Sequence, residues 1–118
     1  MTVIEEAKES LMDLNKIIDY LQSTSEDSWC CDVVKTKDGK NCLFGHLFDY
    51  GGGDNGNGSY VFEMFEELYA TTYMVYPVND GANKNYQQPT PKQRCIAYLE
   101  NIRDGKEKTS CQLWDECV

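Results

Sequence analysis

Between Asn41 and Asn83 the chain has no lysine and no arginine, although it carries eleven such residues elsewhere. Acids are not missing from the same stretch: Asp49, Asp54, Glu63, Glu66, Glu67 and Asp80 all fall inside it. A net charge of −9 repels nucleic-acid phosphates, so direct binding to DNA or RNA is not expected. No apolar run approaches the length of a membrane span, which argues against membrane insertion. The first residues show neither a basic start nor an apolar block of the secretory kind. A cytoplasmic location is therefore expected, with the six cysteines as reduced thiols rather than three disulfides.

What is present suits a globular domain. At 118 residues, 41% of them apolar, the chain should bury roughly two-thirds of its unfolded surface and needs no staples. Neither an internal repeat nor a dividing linker breaks it, so residues 1–118 read as one domain, with 105–118 as a peripheral tail.

The helical signals dominate. Thr2 and Glu5 form a capping box, and Ile4, Ala7, Leu11, Leu14, Ile18 and Leu21 recur at spacings of three and four, predicting one long amphipathic helix. The stripe is too short to demand a coiled coil, and monomer or homodimer is left open. Residues 29–34 favour an extended chain and 37–40 a turn, which allows a short β-hairpin near 29–41. Cys42 to Tyr50 reads as a short buried helix, 51–59 as a flexible glycine loop, and Ser59 as the cap of a helix reaching about Tyr73. The stretch 74–78 reads as extended, with Pro77 limiting any strand there to an edge, and 79–83 reads as a turn. Thr90, Pro91 and Gln93 stand at the cap, first and third positions of a last helix whose apolar residues are Cys95, Ile96, Leu99 and Ile102, with Gly105 to close it. After Gly105 only Trp114 offers an anchor. The expected fold is mainly α, one compact domain of three to four helices.

Taken in order, the N-terminal helix, Trp29, the Cys42-Leu-Phe-Gly-His-Leu47 helix, the Asn79-Asp80 turn and the capped helix from Thr90 form a pattern over about residues 3–104. This resembles a family of small bacterial and phage proteins of unknown function. The resemblance implies a compact helical domain of bacterial or phage origin. It supplies no reaction, ligand or residue role.

Three constellations bear on chemistry. Cys30, Cys31, Cys42 and His46 are ligand types suited to zinc, with Cys42 and His46 one helical turn apart. Adjacent cysteines on an extended strand point to opposite faces, however, and the usual Cys-x-x-Cys knuckle is absent. Cys42, His46 and Asp49 offer a nucleophile, a base and an orienting acid, but on a single short helix such groups line up instead of converging on a substrate. The run Asp54 to Gly58 lacks the first and twelfth oxygen ligands of a calcium loop, and the glycine stretch has no base for a phosphate. The expected function is therefore a small acidic, non-catalytic protein-binding module, such as a phage-encoded inhibitor of a host or defence protein, with no cofactor. It would engage a basic protein surface through Asp49, Asp54, Glu63, Glu66, Glu67 and Asp80. The alternative is a zinc-stabilised protein or thiol enzyme centred on Cys42 and His46.

Overall fold

The computed structural model describes residues 8–117. Their order is α1 (Leu14–Ser23), α2 (Leu43–Tyr50), α3 (Gly58–Leu68), α4 (Thr72–Asn79), α5 (Pro91–Arg103) and α6 (Ser110–Cys117), with 3-10 turns at Glu26–Ser28 and Gly53–Asn55. The fold is mainly helical as expected, but these six helices, together with the helical residues 8–10, replace the expected three to four. The Cα radius of gyration is 14.0 Å, close to the ~13.5 Å of a compact chain this long.

The first helix is not continuous. Residues 8–10 are helical, then the N–H groups of Leu11, Met12 and Asp13 bond back three residues and the helix stops. Asp13 takes an extended ψ of 117° and its carboxylate accepts the Asn15 N–H at 2.8 Å, capping α1 afresh. An aspartate that can serve as an N-cap has overridden the apolar period, and Met12 turns into the core. The capping box at Thr2 and Glu5, with Ile4 and Ala7, lies outside the described residues.

No hairpin forms at 29–41. The turn is there, with Thr36 N–H on the Lys40 carbonyl at 2.8 Å, but only isolated bridges join Asn41 to Trp29 and to Lys35. Asn41 is shared between two neighbours: its N–H donates to the Ser28 carbonyl, while its carbonyl accepts from Cys30. Asp32 interrupts any ladder with a φ of 71°, a left-handed conformation that aspartate tolerates. Residues 29–41 are thus a strap laid over α2.

The expected extended stretch 74–78 is helical and lies inside α4. Pro77 is its sixth residue; the ring's fixed φ is helical, and the carbonyl of Pro77 closes the following turn by accepting from Ala82 and Asn83 at 2.8 and 2.9 Å. The third helix begins at Gly58 instead of after Ser59, and stops at Leu68, short of Tyr73. Its early start needs a glycine, because a Cβ at Gly58 would lie 2.8 Å from the Gly53 and Phe48 carbonyl oxygens. The tail is not irregular either: Ser110 donates its N–H to the Tyr69 carbonyl and its hydroxyl to that of Glu66, seating α6 on the end of α3. Trp114 remains 72% exposed, so it does not anchor the tail.

The last long helix follows its signals. Thr90 caps α5 by accepting from the Gln93 N–H at 3.2 Å, and Gly105, at a φ of 77°, lets Lys106 reach back to the Asn101 carbonyl. Helix α2 is central and touches α1, α3, α4 and α5. Leu43, Phe44 and Leu47 from it pack with Ile17 and Leu21 of α1, Phe65 of α3, Val75 of α4 and Leu99 of α5, all fully buried.

Candidate functional site

The strap, α2, the glycine loop and α3 enclose a cleft of about 710 Å³, within the usual size range of ligand sites. The spacing of Phe44 and Phe48, one helical turn apart, sends both side chains of α2 to this side, where Phe62 of α3 joins them. The Phe44 and Phe62 rings lie 4.7 Å apart at 40°. Carboxylates come from three elements: Asp49 from α2, Asp54 from the 3-10 turn and Glu63 from α3. Lys35 of the strap is the single base among the lining residues.

Asn41 forms the strap's contribution to the wall and is 4% exposed. Its Nδ2 donates to Asp49 Oδ2 at 2.9 Å, whereas its buried Oδ1 meets no donor among the described residues. The strap can approach so closely only because residue 45 is glycine. A Cβ there would sit 2.6 Å from both Asn41 Oδ1 and the Val34 carbonyl oxygen.

Three of the six expected acidic residues line the cleft and three do not. Asp49, Asp54 and Glu63 line the cleft. Glu66 is half-buried and its carboxylate accepts the Thr72 N–H at 3.3 Å, while Glu67 is exposed and lends its carbonyl to Ser110. Asp80 accepts from the Asp32 N–H and from Asn79 Nδ2, and borders a second cavity of about 280 Å³ with Val33, Cys42 and Tyr76.

The thiols and the histidine are placed as structural groups. Among the described residues no group of three or more His, Cys, Asp or Glu side chains is arranged to hold a metal ion, so Cys30, Cys31, Cys42 and His46 do not meet at one centre. The Cys30 thiol faces the Val33 and Lys40 carbonyls, and that of Cys31 faces the Asn79 carbonyl. Burial pushes the thiols of Cys30, Cys31 and Cys42 up, and that of Cys95 well up, away from the reactive thiolate. His46 stacks on Trp29 with ring centroids 4.3 Å apart, and its Nε2 lies 3.1 Å from the Ser28 carbonyl oxygen. Asp49 is engaged by Asn41. No side-chain hydrogen bond among the described residues links Cys42, His46 and Asp49 as a triad; His46 meets Cys42 only through the helical backbone bond to its carbonyl.

Sequence reasoning found all three carboxylates of the cleft and none of its floor. The i, i+4 pair of Phe44 and Phe48 was the available signal, but on a helix expected to be buried it reads as core. No family model matches the chain, and neither curated proteins nor solved structures yield a match.

Proposed function

We propose that the protein is a non-catalytic binding module that takes a basic segment of a partner protein into the cleft between α2 and α3. One observation carries the reading: carboxylates on three separate elements, Asp49, Asp54 and Glu63, surround a floor of phenylalanine rings. A basic side chain suits such a site, because its alkyl stem packs on the rings while its charge meets the acidic rim. The raised thiols and the engaged His46 offer no activated nucleophile, which is why a binding role is preferred to a catalytic one. Binding of this kind inhibits by occlusion, so a host or defence protein with a basic surface could be silenced without chemistry. Among the described residues no helix is long and apolar enough to cross a membrane, and a protein surface is the partner class the cleft fits.

The test uses a twelve-residue synthetic peptide with three basic residues between leucines, titrated calorimetrically at low and high salt. Association should weaken steeply as salt rises, since the rim is solvent-exposed. Reversing Asp54 and Glu63 to lysine should abolish binding, whereas the double reversal of Asp19 and Glu26, exposed and outside the cleft, should leave most of it. Equal losses in the two variants, which have the same net charge, would contradict the cleft as the site.

A further inference from the structure

We infer that the cleft is selective for arginine over lysine, and that the anchoring group of the partner is a guanidinium seated between the Phe48 and Phe62 side of the floor and the Asn41–Asp49 wall. This rests on the reading of the cleft as a protein-binding site and adds the identity of the residue it captures.

Acceptors lead among the charged groups of the cleft, three carboxylates against Lys35, while Asn55 and Ser59 are neutral groups that donate as well as accept. Asp49, Asp54 and Glu63 can only accept when ionised, and Asn41 has spent one of its two amide N–H donors on Asp49 Oδ2. A ligand that satisfies them must bring many donors and a positive charge. An ammonium supplies three donors on a strongly hydrated point. A guanidinium supplies five in a plane, is more weakly hydrated, and stacks on aromatic faces. The floor favours the second, because the half-buried Phe48 and Phe62 present rings, backed by the fully buried Phe44, where aliphatic residues would give depth without a π-face. The bond between Asn41 and Asp49 also fixes one carboxylate in place before binding, which suits a planar, bidentate partner more than a rotating ammonium. Lys35 opposes this at the mouth as the single cation of the lining, so its removal should strengthen capture.

The experiment compares three capped pentapeptides, Gly-Leu-X-Leu-Gly, in which X is arginine, lysine or the neutral arginine isostere citrulline. Affinities are read by amide NMR titration of the full chain. The arginine peptide should bind about five- to tenfold tighter than the lysine peptide, in line with a stacking and fork advantage, and citrulline should bind weakest. In Phe48→Leu, which keeps apolar volume and removes the ring, the arginine-to-lysine ratio should fall towards one. Lys35→Ala should raise affinity for both charged peptides about twofold to threefold. Equal affinity for arginine and lysine, with citrulline still weak, would overturn the arginine preference and leave the basic-segment reading standing. Citrulline binding as well as arginine, or no peptide binding at all, would overturn both. A ratio unchanged in correctly folded Phe48→Leu would remove the aromatic basis of the selectivity.

Discussion

Asn79 Oδ1 accepts the backbone N–H of Leu43 at 3.0 Å, so the last residue of α4 caps the first turn of α2. The same side chain donates Nδ2 to the Cys30 carbonyl at 2.9 Å, tying down the strap that walls the cleft. Asn79 has no solvent exposure. Asn79→Ala should therefore cost about 2–4 kcal/mol, since it strands a buried donor on α2 and an acceptor on the strap. Urea denaturation followed by circular dichroism measures this, and a loss under 1 kcal/mol would mean that water replaces the side chain at little cost.

Arg94 is buried and binds three carbonyls, with Nε on Val78, Nη2 on Asn79 and Nη1 on Gln88, at 2.8–3.0 Å. Two of these belong to the C-terminal end of α4, where a cation is favoured by the exposed carbonyls. Arg94→Met should destabilise by on the order of 3 kcal/mol, because all three acceptors lose their donors together. Arg94→Lys should recover less than half of the loss, as one ammonium cannot follow the fork of the guanidinium. Full recovery by lysine would show that charge alone matters at this position.

His46 is the chain's one histidine, and burial of its ring holds its pKa below the ordinary value of 6.5. The Ser28 carbonyl and Asp49 oppose that shift and Lys92 reinforces it. A histidine depressed in the folded state stabilises the fold above the unfolded-state pKa, and that contribution is lost as pH falls from about 6.5 towards the folded value. The imidazole resonance should accordingly titrate below 6.5, and Trp29 emission should change with it because the rings are stacked. A midpoint at or above 6.5 would show that the Ser28 and Asp49 contacts outweigh burial.

Gly45 offers a case in which two effects have opposite signs. In a helix interior alanine is favoured over glycine by roughly 0.8–1 kcal/mol. Against this, a Cβ at 2.6 Å from the Val34 carbonyl oxygen requires the strap to lift. The clash should win, since one of the obstructing atoms is backbone, and Gly45→Ala should lower the urea midpoint and weaken peptide binding together. A raised midpoint would mean that the strap yields easily.

Local signals in the sequence translated well wherever one residue sufficed to set the backbone. Thr90, Pro91 and Gly105 mark the ends of α5 by capping chemistry that needs no tertiary partner, and α2 was legible from its apolar run. The break before Asp13 was not, because Leu11, Leu14 and Ile18 satisfy a continuous helical stripe and only the aspartate's cap competes. The stretch around Pro77 differs too: it reads as an edge strand, yet Pro77 is accommodated in an eight-residue helix and its carbonyl closes the next turn. At the site, the charges of Asp49, Asp54 and Glu63 were legible from the missing lysines and arginines. Asn41, Gly45 and the phenylalanine floor were not, because each acquires its role only when the strap lies against α2. Separation of Asp80 from the cleft likewise depends on tertiary contacts that charge patterning does not encode.

The most direct test of the cleft as the binding site is an amide chemical-shift map of the full chain with the tribasic peptide at low salt. The largest changes should fall on Gly45, Gly52, Gly53, Asp54, Phe62 and Glu63, which share the cleft lining although they come from separate stretches of sequence. They should fade as salt is raised. Changes centred on Asp80 and Cys31, on α6, or spread evenly over every exposed acid would contradict a cleft that recognises basic protein segments.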